Sequence, residues 1–269
     1  MTYVIRCTAL VDYLSTRSTK IAMKTLLIPI DFQSASGKAV NYIERVFKDQ
    51  SISMELLHVS TPSEKLTKEE IQKSFEKFEQ TFLKGCQIPY TFMVREGNLL
   101  EQIQQAVNEK NPSLVVIGLT GNALVKSLVK LINCPVLIIP DKNDSPAIRN
   151  IAYANDFHTI KVSSALEPLW NLAKSCDAMV HVLHVTKERT VPQDEAEGPL
   201  EYYLDHVKHD YISIKSNDFL TAINKYATDK KIDLLTLLVR DHGNNELHSH
   251  GQLVEQLLSK TNIPILSLV

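Results

Sequence analysis

The sequence carries one ordered set of short motifs twice, and this repeat restricts the folds that the chain can adopt. Asp31-Phe32, which follows a short apolar run, recurs as Asp156-Phe157 at an offset of 125 positions. Leu57-His58-Val59 recurs as Leu183-His184-Val185 at an offset of 126, and two later anchors recur at offsets of 122 and 129. Nearly constant offsets in an unchanged order are typical of a duplicated module whose insertions lie in loops. We therefore predict two tandem copies of one fold.

Each copy alternates short apolar runs with amphipathic segments. In the first copy, five apolar runs predict strands at 24–30, 54–59, 90–94, 114–119 and 135–139. Between strands, apolar side chains recur at helical spacing, for example at Ile71, Phe75, Phe78 and Phe82. Alternating strands and helices favour a parallel sheet covered by helices. The predicted fold class is therefore α/β, with two tandem five-stranded parallel sheets that each form an open α/β sandwich.

A polar segment with a proline at each end, 140–146, separates the two copies. Such segments are typical of linkers between domains, so we assign the first domain to residues 23–141 and the second to residues 147–269. The run that begins at Met23 has the pattern of a chain start that leads directly into a buried strand. We expect residues 1–22 to be a disordered, dispensable N-terminal extension without an export signal or a membrane span.

The charge of the chain is small and its cysteines are scattered. A net charge of -2 and a pI near 6.5 give no broad electrostatic reason for binding to nucleic acid or to an anionic membrane. The four cysteines form no C-x-x-C pair, which argues against a disulfide framework or a thiolate zinc site. The expected setting is therefore the reducing cytoplasm, with neither nucleic acid nor a membrane as a partner.

The order of the motifs resembles a known protein family. An aspartate follows the first strand, His58-Val59 ends the second, and three further motifs follow in order: Val94-x-x-Gly97-Asn98, Gly118-x-x-Gly121 and Cys134-Pro135-Val136-Leu137. Together they resemble the universal stress protein family over residues 23–269, with a weaker match in the second copy. The resemblance implies a Rossmann-like fold of the adenine nucleotide alpha-hydrolase type. It also implies that ATP or another adenine nucleotide is the candidate cofactor, bound where the strands end.

The resemblance assigns a nucleotide site to strand-end and loop residues. Asp31 and Asp156 take the nucleoside position, and Gly118 with Gly121 supply the front half of the family's phosphate motif. The full set of candidate nucleotide-binding residues is Asp31, Val59, Val94, Gly118, Gly121, Asp156, Gly243 and Gly251. Physical chemistry favours the same location, because ligands of open α/β sheets bind where the strand order reverses and phosphates bind at helix N-termini.

Both copies depart from the family's phosphate motif. The first copy has no glycine between Gly121 and Gly198, so the back half of the motif is missing. The second copy keeps a candidate turn at Gly251, but Arg240 replaces the first glycine and Gln252 replaces the final hydroxyl residue. These departures predict weak or lost nucleotide binding. The two aspartates are explained equally well as caps of the following helices.

Two other patterns near the strand ends have simple structural explanations. Ser36-Gly37-Lys38 follows a strand, but a P-loop would need glycine at position 32 and a hydroxyl at position 39. We expect Ser34 or Ser36 to cap the first helix and Lys38 to point into solvent. His58 and His184 lie within apolar runs, so we interpret both as structural histidines with satisfied hydrogen bonds.

One loop of the second copy is rich in groups that could bind a metal. His242, Glu246, His248 and His250 lie close together in the sequence. Their spacing matches no established zinc signature, so we predict a polar loop without bound metal, and a metal site formed by His242, His248 and His250 is the alternative.

No catalytic set emerges from the sequence, so we predict a non-enzymatic, cytoplasmic stress-response or signalling protein. The resemblance implies that the last strands of the two copies, 136–139 and 265–268, pair to form an internal pseudo-dimer that acts through protein partners. A homodimer of the whole chain is a further expected assembly. The alternative hypothesis is an adenine-nucleotide sensor or slow ATPase that uses Asp31 or Asp156.

Overall fold

The computed structural model describes residues 3–5, 24–47, 50–61, 66–120, 124–143, 145, 147–154, 163–186, 204, 207–238 and 250–269. In the first half, the strands are β1 (Tyr3–Ile5), β2 (Lys24–Pro29), β3 (Ile52–Ser60), β4 (Tyr90–Glu96), β5 (Leu114–Leu119) and β6 (Val136–Pro140). The helices are α1 (Ser34–Phe47), α2 (Lys68–Phe78), α3 (Leu99–Lys110) and α4 (Val125–Leu131). A π-helical turn, Glu79–Leu83, extends α2. The five strands predicted in the first copy are confirmed as β2 to β6.

The second half repeats this alternation of strands and helices. Its strands are β7 (Asn150–Ala154), β8 (Met179–Thr186), β9 (His209–Lys215), β10 (Leu234–Leu238) and β11 (Ile265–Leu268). Its described helices are α5 (Glu167–Ser175), α6 (Phe219–Asp229) and α7 (His250–Lys260), and a 3-10 turn at Ser163–Leu166 leads into α5. We call β2 to β6 with their helices module 1, and β7 to β11 with theirs module 2.

The strands of both modules form one sheet of 11 strands in the order β1-β4-β3-β2-β5-β6-β11-β10-β7-β8-β9. Within each module the strands are parallel, as the α/β class predicts. In each module the first strand, β2 or β7, lies between its second and fourth strands. The order of the strands therefore reverses beside β2 and beside β7, which is where open α/β sheets bind ligands.

The two modules join through their last strands. β6 and β11 are antiparallel, with Leu266 opposite Leu137 and Ile265 opposite Ile138. These are the segments that the family resemblance placed at the contact between the copies. Because β6 and β11 run in opposite directions, the carboxyl ends of the module 1 strands lie at the same edge as the amino ends of the module 2 strands.

A short strand in the N-terminal extension adds to the edge of the sheet. β1 pairs antiparallel with β4, with Val4 opposite Met93. It lies within residues 1–22, the predicted N-terminal extension. The extension therefore contributes at least these three residues to the sheet, and the pairing covers the edge of β4.

The hydrophobic core consists of one layer on each face of the sheet, and each layer crosses the junction. Alternate residues of a strand point to opposite faces, so Leu26 and Leu27 belong to different layers. One layer includes Leu137 and Leu266, while the other includes Val136 and Ile265. No described helix is long and apolar enough to cross a membrane.

Candidate functional site

Asp31 lies where β2 ends and α1 begins, at the carboxyl edge of module 1. Its side chain is exposed. Its Oδ1 accepts hydrogen bonds from the Gln33 backbone N–H at 2.9 Å and from the Ser36 hydroxyl at 2.7 Å. These bonds satisfy a donor near the first turn of α1, where a negative charge also interacts favourably with the helix dipole. Asp31 therefore stabilises the start of α1, with Ser36 as a hydrogen-bond partner, which supports the capping explanation.

An aromatic cluster supports the backbone beside Asp31. Phe32 has a positive φ of 62°, a backbone conformation that is unfavourable for a bulky residue. Its ring packs on His58, with ring centroids 4.5 Å apart, and also contacts Phe78 and Phe92. His58 is buried, and its Nδ1 lies 3.1 Å from the Ile30 carbonyl oxygen, to which it donates. His58 is thus a structural histidine, as predicted.

Val59 and Val94 lie near the ends of β3 and β4. Their side chains are buried, one in each layer of the core. A ligand at the carboxyl edge would therefore meet the backbone at these positions rather than the side chains. The nucleotide-binding role that the resemblance assigns to Val59 and Val94 stays a prediction.

Gly118 lies at the switch point, on β5 next to the start of α1. A Cβ atom at this position would lie 2.0 Å from the Ala35 carbonyl oxygen and 3.0 Å from the Ser36 nitrogen. Real Cβ atoms do not approach backbone atoms this closely, so α1 packs on β5 only because residue 118 is glycine. The fold alone therefore explains this glycine of the phosphate motif.

Lys38 is exposed, as predicted, and its ammonium group also forms an ion pair with Asp141. Its Nζ donates to the Asp141 carbonyl oxygen at 2.7 Å and lies 3.1 Å from Asp141 Oδ1. The Asp141 backbone N–H in turn donates to the Leu119 carbonyl oxygen at 2.9 Å. The sequence does not predict this ion pair, because its members are 103 positions apart and meet only once the sheet has formed.

Gly251 lies in α7, not in the loop turn that the sequence predicted. A Cβ atom on this residue would lie 2.6 Å from the Lys126 carbonyl oxygen and 3.0 Å from the Lys126 Cα. Lys126 belongs to α4 of module 1, so Gly251 marks a close contact between helices of the two modules. The helix packing at the junction accounts for this second glycine, and any contact with phosphate stays a prediction.

The remaining candidates lie outside the described residues. These are Gly121, Asp156, Arg240, His242, Gly243, Glu246 and His248. His250 is the first residue of α7, but its side chain is not described. In the described part of the chain, no three His, Cys, Asp or Glu side chains form a group that could hold a metal ion.

An ion pair between β4 and the exposed carboxylate of Glu109 on α3 is a further feature that the sequence does not predict. Arg95 is only 3% exposed, and its Nη2 donates to Glu109 Oε2 on α3. This hydrogen bond holds the pKa of the Glu109 carboxyl below its ordinary value. Arg95 directly follows the apolar run 90–94, and an arginine in β4 is rarely buried unless it is paired.

Fold and strand-end motifs together define an α/β protein that carries a candidate ligand site at the carboxyl edge of each parallel sheet. Comparison with known proteins narrows this class. Residues 23–140 match the model of the universal stress protein family. Module 1 therefore belongs to the universal stress protein family, and the whole chain has its fold in tandem. No curated protein matches the sequence.

Solved structures share the tandem fold over almost their entire length. A universal stress protein from Archaeoglobus fulgidus is 17% identical with a TM-score of 0.71, and the match covers 91% of this chain and 96% of that chain. A putative universal stress protein from Pseudomonas aeruginosa is 14% identical with a TM-score of 0.63, over 92% and 93% of the two chains. The cytoplasmic domain of a prokaryotic cation chloride cotransporter is 13% identical with a TM-score of 0.59, over 91% and 95%.

Proposed function

We propose that the protein is a non-enzymatic stress-response module of the universal stress protein type, which acts through protein partners. The observation that carries this proposal is the junction, where β6 and β11 unite both modules in one sheet. An internal pair of this kind presents one rigid surface to a partner without depending on protein concentration. The tandem fold also occurs in the cytoplasmic domain of a cotransporter, where it is part of a larger protein.

The residues of the predicted nucleotide site support weak or lost nucleotide binding. Asp31 accepts hydrogen bonds at the start of α1. Gly118 and Gly251 lack a side chain where the backbones of α1 and α4, respectively, pack closely. Each residue therefore has a role in the fold that needs no nucleotide. Selection for stability alone would retain these residues after the phosphate motif had degenerated.

The competing proposal, an adenine-nucleotide sensor or slow ATPase, is supported by the position of Asp31. Its carboxylate is exposed at the switch point of module 1, and Oδ2 makes no hydrogen bond to any described residue. An oxygen in that position could accept hydrogen bonds from the hydroxyl groups of a ribose. Asp156 is the corresponding candidate in module 2.

Thermal melting with nucleotides distinguishes the two proposals. The wild-type protein would be melted with and without millimolar ATP, ADP or AMP in the presence of Mg²⁺, beside the variants Asp31→Ala and Asp156→Ala. A ligand that binds only the folded state at about 100 times its Kd adds about 2.7 kcal/mol of stability, which raises Tm by several degrees. Asp31→Asn is the matched control, because asparagine keeps the capping oxygen and lacks the charge.

Each variant is compared with its own ligand-free melting curve, because loss of the cap lowers the stability of Asp31→Ala by about 1 kcal/mol in any case. We expect no nucleotide to raise Tm by more than the experimental error. A rise in the wild type that disappears in either alanine variant would establish the sensor instead.

The cytoplasm is the proposed setting, since the described cysteines are free thiols. Cys86, Cys134 and Cys176 form no disulfide with one another. Burial raises the pKa of Cys134 to about 12, so this thiol stays protonated and unreactive at neutral pH. A structural, unreactive thiol of this kind is compatible with a reducing compartment.

A further inference from the structure

An apolar cavity of about 250 Å³ lies at the junction of the two modules. Its floor is formed by strand residues from both modules, including Leu26, Leu137 and Leu266. Phe47, at the end of α1, and Leu172, on α5, form opposite walls. The cavity lies near the amino ends of the module 1 strands, so it is separate from the module 1 candidate site at Asp31 and Gly118.

Polar contacts between the modules surround the mouth of this junction cavity. Lys24 Nζ donates to Glu167 Oε1 at 3.0 Å, and Gln50 Nε2 donates to the Ser175 hydroxyl at 2.8 Å. Both contacts join α5 to module 1. The Lys24 and Glu167 side chains are 46% and 58% exposed, and exposed ion pairs contribute little to stability. The mouth can therefore open without disturbing the core.

The charges around the mouth indicate the kind of ligand. Lys24 and Glu167 neutralise each other, and the other polar groups of the lining, which include Gln50 and Asn171, are uncharged. A charged ligand would leave its charge against an apolar wall without a free counter-ion, which is costly. By contrast, apolar cavities smaller than this one, of about 150 Å³, stay dry and bind benzene.

We propose that the junction cavity binds a small neutral aromatic molecule, about the size of indole. Its ring would contact Leu26, Leu137 and Leu266 on the floor, and a polar N–H or O–H group would point to the mouth. Since these residues belong to both modules, the bound molecule would stabilise the contact between the modules. The site is independent of the proposed function, because it uses no residue of the candidate nucleotide site.

Indole is the probe that tests this proposal with the full-length protein. Thermal melting and methyl NMR spectra would be recorded during titration with millimolar indole, and in parallel with benzoate as a charged probe of similar size. Two variants fill the cavity from opposite sides, Leu114→Phe and Leu172→Phe. Leu131→Phe is the matched control, because it makes the same change at an exposed leucine of α4 that does not line the cavity.

We expect indole to raise Tm and to shift the methyl resonances of Leu26, Leu137 and Leu266 in the wild type and in Leu131→Phe. In both filled variants, we expect the affinity to fall by at least about tenfold. The melting curve without ligand shows whether each variant folds, and either filled variant alone is sufficient for the comparison. The proposal is overturned if indole shifts none of these resonances, if the filled variants bind as the wild type does, or if benzoate binds more tightly than indole.

Discussion

Asp31 and Gly118 lie on neighbouring strand ends, and both contact the start of α1. The Asp31 carboxylate accepts from the Ser36 hydroxyl, while the Ala35 carbonyl lies directly against Gly118. Both residues match a nucleotide-binding motif, yet each is also needed to begin α1 where it begins. A motif residue can therefore remain in a chain whose ligand site has degenerated, and a stability measurement without ligand separates the two explanations.

Gly118→Ala is expected to destabilise the protein even without any ligand. The new methyl group would meet the Ala35 carbonyl oxygen at 2.0 Å, so α1 and β5 must move apart. Overpacking of this kind costs about 1–3 kcal/mol, measurable as a lower midpoint in urea unfolding. Thr120→Ala, at an exposed position two residues later, serves as control and should change stability by less than about 0.5 kcal/mol. Equal stability of Gly118→Ala and the wild type would show that the glycine serves something other than packing.

The role of a site residue could be predicted where its partners lie close in the sequence, and could not be predicted where they lie far apart. The cap at Asp31 depends on residues up to five positions away, so the sequence shows it directly. The Lys38–Asp141 pair depends on how β2, β5 and β6 are placed, and no local pattern contains that information. Arg95 was overlooked because its partner, Glu109, lies 14 positions later, near the far end of α3.

Strands and helices follow the sequence pattern closely, with exceptions where a contact with another element decides the structure. The run of apolar residues predicts β2 through β6, because buried parallel strands are apolar on both faces. β1 has no such run, and it forms a strand only by pairing with β4. Likewise, Gly251 resembles a loop residue in the sequence, but it lies in α7 and packs closely against α4.

The contact between α4 and α7 predicts an unusual effect of Gly251→Ala. In a helix, this change raises stability by up to about 1 kcal/mol from propensity alone. Here the new Cβ atom would lie 2.6 Å from the Lys126 carbonyl oxygen, so we expect a loss of about 1–3 kcal/mol instead. Urea unfolding would compare Gly251→Ala with Ser259→Ala, an exposed change in the same helix. We expect the free energy of unfolding to fall in Gly251→Ala and to rise slightly in Ser259→Ala. Stabilisation of the protein by Gly251→Ala would rule out the close helix contact.

The contact between α5 and β2 predicts a dependence of stability on pH. The hydrogen bond from Lys24 lowers the pKa of Glu167, so the folded state releases this proton more readily than the unfolded state. Its stabilising effect is complete above the unfolded pKa and disappears as pH falls through the lower, folded pKa. Solvent screening limits the effect to at most about 1 kcal/mol.

Glu167→Gln should therefore lose less stability than the wild type between neutral pH and about pH 3, as measured by urea unfolding at each pH. Glu76→Gln is the control, since Glu76 is exposed on α2 and its hydrogen-bond partner is the neutral Gln72. That variant is expected to follow the wild type over the whole range. Identical pH profiles for Glu167→Gln and the wild type would mean that the Lys24–Glu167 pair does not form in solution.

Both layers of the hydrophobic core continue across the junction, so we expect the two modules to form one cooperative folding unit. Ile28 of module 1 and Ile151 of module 2 belong to the same layer, and Leu27 and Ala152 belong to the other. The sheets of the two modules are continuous, because β6 and β11 are hydrogen-bonded neighbours. Unfolding one module would expose the core of the other, so the whole molecule should unfold cooperatively.

Leu137→Asp tests this coupling most directly. Leu137 is fully buried and lies opposite Leu266 across the junction, so an aspartate would place an unpaired charge between the modules. The wild type should show one urea transition that coincides for far-UV circular dichroism and for the fluorescence of Trp170, the single tryptophan, which lies on α5 of module 2. In Leu137→Asp, we expect a loss of at least about 3 kcal/mol and two transitions that no longer coincide.

The control Leu131→Asp, at a leucine that is 46% exposed, should keep a single transition. Two separate transitions in the wild type would instead show that the modules are independent domains joined by a weak contact.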